Sequence, residues 1–163
     1  MDIVAIPKLE KTFGFDCYIN SNFDKIVIDE DCFVDQEMRA RFSLAHELSH
    51  KVLHQNIYEA AGIDSEESFV EFSRNLTDKE QKSLEIQAHI FAGFLLLPHD
   101  YFESELENLS TDYGGTAKMT VSDLGDVMKY LSRKFNVTDQ VIWHQLKHEY
   151  PLWLREIIGD DWL

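Results

Sequence analysis

Basic residues are scarce in this chain. Its 163 residues hold 15 Lys and Arg against 30 Asp and Glu, a formal net charge of −15 with histidines neutral. That balance argues against binding nucleic acid through its phosphates, which requires a basic face. The acidic surplus serves solubility first, and would also attract a basic partner protein. Cysteine is limited to Cys17 and Cys32, too few for a disulfide scaffold. No apolar run approaches the roughly 20 residues needed to span a bilayer. The longest, Ile90 to Leu97, is interrupted by Gly93. The opening Met1-Asp2-Ile3-Val4 lacks the basic start and apolar block of a signal peptide. These absences lead us to expect a cytoplasmic protein with two free thiols, without membrane or nucleic-acid partners. Internal repeats and low-complexity segments are also absent.

What is present suffices for a globular domain. Hydrophobic residues make up 44% of the chain and aromatics 12%, enough for a core of its own. Residues 1–12 show little pattern. Phe15, Cys17 and Ile19 alternate with polar residues, as in a half-buried strand. Lys25 to Asp29 is rich in β-branched residues and reads as a second strand. A turn near Asn22 would join the two as a hairpin that pairs Cys17 with Ile28 and leaves Cys32 out of reach. Asp35 can cap a helix over about 36–54. Met38, Phe42, Ala45, Ser49 and Val52 would form its buried stripe. The acidic stretch 57–76 reads as a surface excursion, with room for a short helix over 65–74. Thr77 and Glu80 form a capping box that opens a second long helix over about 78–97, closed by Pro98. Leu84, Ala88, Phe91 and Leu95 would be its buried side. Gly114-Gly115 marks a loop. Thr120 or Ser122 can cap a helix to Phe135, and Thr138 another to Tyr150, where Pro151 ends it. The apolar tail with Trp153, Ile157, Ile158 and Trp162 could pack back or meet a partner. The expected class is α+β and mainly helical, with a small antiparallel hairpin near the N-terminus and a C-terminal helical pair.

The chemistry concentrates in His46-Glu47-Leu48-Ser49-His50. On a helix, residues i and i+4 share a face about 6 Å apart along the axis, so two imidazoles at this spacing can reach one metal ion. The glutamate after the first histidine can hold a water beside that ion. This is the H-E-x-x-H pattern of zinc peptidases. A catalytic zinc takes three protein ligands and keeps a position for water. His54 lies about 12 Å along the axis from His46. With no Gly or Pro to break the helix before it, His54 reads as a capping or surface histidine, favoured by the helix C-terminus. On the second helix, Glu85 and His89 both flank the buried stripe, and spacing alone does not choose between them.

Arg41-Phe42-Ser43-Leu44-Ala45-His46-Glu47-Leu48-Ser49-His50-Lys51-Val52-Leu53-His54 resembles the metal-binding helix of the ImmA/IrrE family of zinc metallopeptidases. Glu85-Ile86-Gln87-Ala88-His89-Ile90-Phe91-Ala92-Gly93-Phe94-Leu95-Leu96-Leu97-Pro98 resembles the same family's second motif, and Leu131 to Thr138 its turn before the last helix. The resemblance covers roughly residues 13–150. The length leads us to expect one domain over 1–163, for which the resemblance implies a minimal zincin-like catalytic core over 13–100 followed by a helical subdomain over 118–163. The resemblance also implies one Zn²⁺ held by His46, His50 and Glu85, with Glu47 as the catalytic residue. The substrate class it implies is a helix-turn-helix repressor, a basic protein that would suit an acidic enzyme. The chain departs from the pattern where Ser49 replaces Gly and where His89 replaces Asn or Asp. His89 therefore either steadies a ligand or competes with Glu85 for the metal. The usual N-terminal helical stretch is short or missing. Two other readings are a zinc-containing module that binds a repressor or toxin without cutting it, and a metal-free structural domain. The C-terminal helical pair has a helix-turn-helix look, but Arg133, Lys134 and Lys147 are few cations against this acidity.

Overall fold

The structure, a computed structural model, describes residues 1–159. Trp162 of the expected apolar tail lies outside the described residues. The fold class is the expected one, mainly helical α+β with a small sheet. The chain forms two compact units, Met1–Leu95 and Leu96 onward.

The first unit is built on a three-stranded sheet in the order β1-β3-β2. β2 (Cys17–Ile19) and β3 (Lys25–Asp29) form the expected antiparallel hairpin, with Cys17 opposite Ile28. The Asn20 side chain organises the turn. Its Oδ1 accepts the amides of Asp24 (3.2 Å) and Lys25 (3.0 Å), and its Nδ2 donates to Asp24 (2.7 Å). The sheet is mixed, however, not a plain antiparallel hairpin. β1 (Asp2–Ile6) lies parallel to β3, with Ile3 opposite Ile26. The five-residue helix α1 (Leu9–Phe13) follows it. Residues 1–12 carried no readable pattern because β1 is exposed along most of its length, so it lacks the alternation that marks a half-buried strand.

Asp29 is the local hub. Buried at the end of β3, it caps helix α2 (Glu30–Asp35) by accepting the amides of Asp31 (3.0 Å) and Cys32 (3.2 Å). Its second oxygen accepts the Glu10 amide at 3.1 Å. Burial alone would raise its pKa, but these amide donors hold it below the ordinary value. The expected cap Asp35 is instead the last residue of α2, and helix α3 (Glu37–Leu53) starts after Gln36.

The face that α3 turns to the core also differs from the expected stripe. Ala40 belongs to the core cluster, Leu44 and Leu48 pack against it, and Glu47 is buried between them in sequence. Ala45 and Ser49 are buried as expected, whereas Val52 is 62% exposed. The small residues Ala40, Ala45 and Ser49 allow close approach on more than one side. A helix covered in that way does not show a single apolar stripe.

Helix α4 (Gln55–Ala61) ends at Gly62, whose φ of 66° suits a residue without Cβ. Helix α5 (Glu66–Asn75) is capped by Ser65. The stretch read as a surface excursion is tied down by aromatics. Phe69 lies 4.7 Å from the Phe15 ring and 5.1 Å from Tyr18, and Phe72 lies 5.2 Å from Tyr58. Helix α6 (Asp78–Leu96) opens on the expected box, with the Thr77 amide donating to Glu80 at 2.9 Å and the Glu80 amide to Thr77 Oγ1 at 3.3 Å. Its buried side is Leu84, Ala88 and Ala92; Phe91 is half-buried and Leu95 half-exposed.

The second unit contains helices α7 (His99–Asp112), α8 (Val121–Phe135), α9 (Asp139–Glu149) and α10 (Pro151–Ile158), with a 3₁₀ turn at Thr116–Lys118. α7 was not among the expected elements. Thr120 caps α8 through a box with Asp123, and Asn136 takes a left-handed φ of 53° to end it. Phe102 is fully buried, with ring centroids 5.4 Å from Phe135 and 5.5 Å from Tyr150. Pro151 ends α9 and also begins α10, where its missing amide proton costs nothing. The tail does pack back: Leu154 is fully buried and the Trp153 indole donates to Ser110 Oγ at 2.8 Å. Lys134 is committed to Glu105 at 2.6 Å, which further thins the cations of the helix-turn-helix-like pair. Among the described residues no helix is long and apolar enough to cross a membrane.

Candidate metal centre

Helices α3 and α6 bring three ligand groups to one point. His46 Nε2 lies 3.1 Å from Glu85 Oε2 and 3.1 Å from His50 Nε2. His50 Nε2 lies 3.8 Å from Glu85 Oε1. The ligand atoms of His46, His50 and Glu85 all lie within 4.8 Å of one another. Zinc bonds of about 2.0–2.2 Å in a tetrahedron imply ligand separations of about 3.3–3.6 Å, which the observed 3.1 and 3.8 Å bracket. Two imidazole nitrogens and a carboxylate are also a recognised catalytic zinc set. The donors therefore fit a divalent zinc ion in both spacing and chemistry.

His89, one turn beyond Glu85, is not in this group. Its ring packs on Phe42 with centroids 4.8 Å apart. The Phe42 ring also lies 6.3 Å from that of His46, so Phe42 stands against both histidines.

The electrostatics follow from burial. His50 is 1% exposed; burial, then the charge on His46, push its pKa down to about 3, so its imidazole is neutral. Burial would also lower His46, but the adjoining Glu85 and Glu47 carboxylates outweigh it and hold His46 above its ordinary value. Glu85 is lowered despite its desolvation, because His46 hydrogen-bonds it and the neighbouring imidazoles add favourable charge.

Glu47 is the unusual group. It is 5% exposed, and burial pushes its pKa up to about 7. The Ile19 backbone donates one hydrogen bond to it. Its Oε2 is buried without any hydrogen-bond partner among the described residues. An unpartnered buried carboxylate oxygen costs stability, so its retention points to a use.

The sequence reads His54 as a capping or surface histidine at the end of an unbroken helix. α3 is unbroken to Leu53, with His54 as its C-cap, but the surface placement is corrected. The helix breaks at His54 itself, between α3 and α4, and His54 is 4% exposed. Burial lowers its pKa, so the cationic capping role does not apply. Its Nδ1 stands 2.9 Å from Nδ1 of His50, on the side of that ring away from His46. Tyr58 lies over His50 as well, with centroids 5.0 Å apart. His46, His50, His54 and Tyr58 recur every four residues, a ladder that was visible in the sequence.

Comparison with curated proteins found no match. Comparison with protein families found peptidase family M78, described as the IrrE N-terminal-like domain, matching residues 8–147. The matched span includes His46, Glu47, His50 and Glu85, and covers most of both units. The chain belongs to this metallopeptidase family.

Proposed function

We propose that the protein is a zinc-dependent endopeptidase that cuts a basic helix-turn-helix repressor in the cytoplasm. The observation that carries the peptidase reading is the buried Glu47 carboxylate, one oxygen of which has no hydrogen-bond partner, beside three converging candidate ligands. His46, His50 and Glu85 would hold one zinc. Bound there, zinc would supply acidification of a water and polarisation of a peptide carbonyl. Glu47, buried with one carboxylate oxygen free of hydrogen-bond partners, would take a proton from the attacking water and return it to the leaving amine. Burial keeps the Glu47 carboxylate in a dry setting, where a hydrogen bond to it is strong. The substrate class rests on the ImmA/IrrE resemblance and on charge: a chain at −15 attracts a basic partner. The cytoplasmic assignment rests on two buried free thiols.

The test is metal content of the dialysed protein by mass spectrometry, beside His50→Ala, Glu85→Ala and Glu47→Gln, followed by incubation with a basic helix-turn-helix repressor. We expect one zinc in wild type, none in the two alanine variants, and full zinc in Glu47→Gln. Cleavage read by intact mass should fall about 10²–10⁴-fold in Glu47→Gln. No zinc in wild type overturns the reading. Zinc retained in Glu85→Ala moves the third ligand to His89. Cleavage that survives Glu47→Gln removes the proton-transfer role.

A further inference from the structure

His50 has two ring nitrogens, and both are engaged. Nε2 faces His46 Nε2 at 3.1 Å and Glu85 Oε1 at 3.8 Å. Nδ1 faces Nδ1 of His54 at 2.9 Å. A neutral imidazole carries one N–H and one lone pair, so across the 2.9 Å contact one ring must donate and the other accept. The far side of His54 decides which. Its Nε2 lies 3.4 Å from Gln87 Oε1, an acceptor, and Gln87 Nε2 is held by Ser83 Oγ at 3.0 Å. Facing an acceptor, His54 carries its proton on Nε2 and leaves a lone pair on Nδ1. That lone pair accepts from His50 Nδ1–H. The lone pair of His50 is then on Nε2, aimed at His46 and Glu85.

We infer that His54 and Gln87 form a positioning relay that locks His50 in the one tautomer able to bind metal through Nε2. Both histidines are buried, so water does not compete for the contact between them. The relay joins two elements. His54 sits at the break after α3, and Gln87 is on α6, two residues from Glu85. The helix that brings the carboxylate ligand thus also brings the acceptor that orients a histidine ligand. A hydrogen-bonded partner behind a ligand histidine sets ring orientation and raises its basicity, and its loss lowers metal affinity about 10–100-fold. The break at His54 has a reason on this reading, since the departure from helical geometry (φ −124°, ψ 19°) accompanies the turn of that ring under His50.

The inference rests on the zinc reading above, and its test separates the two. Nitrogen-15 NMR of the metal-free protein at pH 8 reads the tautomers without any metal. The expected pattern is Nδ1–H for His50 and Nε2–H for His54; a proton on His50 Nε2 overturns the relay. Zinc affinity is then measured by competition with a chromogenic chelator. His54→Ala should bind about 10–100-fold more weakly. His54→Asn, whose side-chain oxygen can accept from His50, should recover most of that loss, which a merely structural role would not predict. Gln87 is exposed, so its variants should fold. Gln87→Glu, an acceptor only, should bind at least as tightly as wild type, and Gln87→Leu several-fold more weakly. Alanine or leucine variants that match wild type overturn the relay while leaving the zinc site standing. Wild type that binds no zinc overturns the site, while the NMR pattern still tests the relay.

Discussion

Glu47→Gln should stabilise the metal-free protein, and by an amount that grows with pH. The carboxyl is fully surrounded in the fold, and its pKa is pushed to about 7 from the ordinary 4.5. The folded state therefore holds a proton between those two values that the unfolded chain has released. Stability consequently falls as pH rises through this window, and the cost of burying the anion is complete above pH 7. A difference of about 2.5 units corresponds to roughly 3 kcal/mol at 1.36 kcal/mol per unit. At pH 5 the wild-type side chain is still protonated when folded, and the cost is only about 1 kcal/mol. Glutamine keeps the shape and never ionises. The assay is urea unfolding of chelator-treated wild type and Glu47→Gln at pH 5 and pH 8. The stability of the variant relative to wild type should rise by about 2–3 kcal/mol between them. Titration of His46 and Glu85 is common to both proteins and enters the difference only through its coupling to Glu47. A relative stability that does not change with pH would refute the argument that Glu47 is a desolvated carboxyl held for use. Together with the zinc retention and lost cleavage expected of the same variant, this predicts a more stable, inactive enzyme, the usual exchange at a site that carries strain for function.

Two further outcomes test the scaffold. Thr77→Ala removes the acceptor for the Glu80 amide at the start of α6 and should cost about 1 kcal/mol in urea unfolding; a cost near zero would mean that the first turn frays without effect on the rest. Cys17 and Cys32 are both buried free thiols, and burial raises the pKa of each, with the Glu47 charge adding to the rise at Cys17. Neither should react with a thiol reagent until the protein unfolds, and fast labelling of either in the native protein would contradict the packing of the sheet.

The candidate metal-binding group was only half legible in the sequence. Glu85 and His89 are four residues apart on one helix, so periodicity placed both on the same flank of α6. Their separation depends on which of them α6 turns toward α3, and that is a matter of tertiary packing. In the structure Glu85 reaches His46, and His89 settles on Phe42. The misjudged burial of α3 has a related cause. A search for one apolar stripe selects the large residues Met38, Phe42 and Val52, whereas the helix is buried through small residues and through a glutamate and a histidine that polarity would place in water.

What the sequence determined by itself was local. The Thr77–Glu80 and Thr120–Asp123 caps, the stop before Pro98 and the register that sets Cys17 opposite Ile28 all depend on residues within about a dozen positions of one another. The two-histidine spacing with Glu47 between is set by the helical repeat alone. Only the tertiary structure decided what depends on distant partners. β1 became a strand because β3 offered a parallel edge more than twenty residues away. The segment over 66–75 lies on the surface, with no residue buried, and was tied down because Phe15, Tyr18 and Tyr58 received its aromatics. His54 became a buried neighbour of His50 because Gln87, 33 residues on, closed the far side of its ring. Side-chain pattern carries information over the length of a turn or a helix. The choice between two groups on one face, and the protonation of a ring between two neighbours, is made by whatever the fold brings from elsewhere.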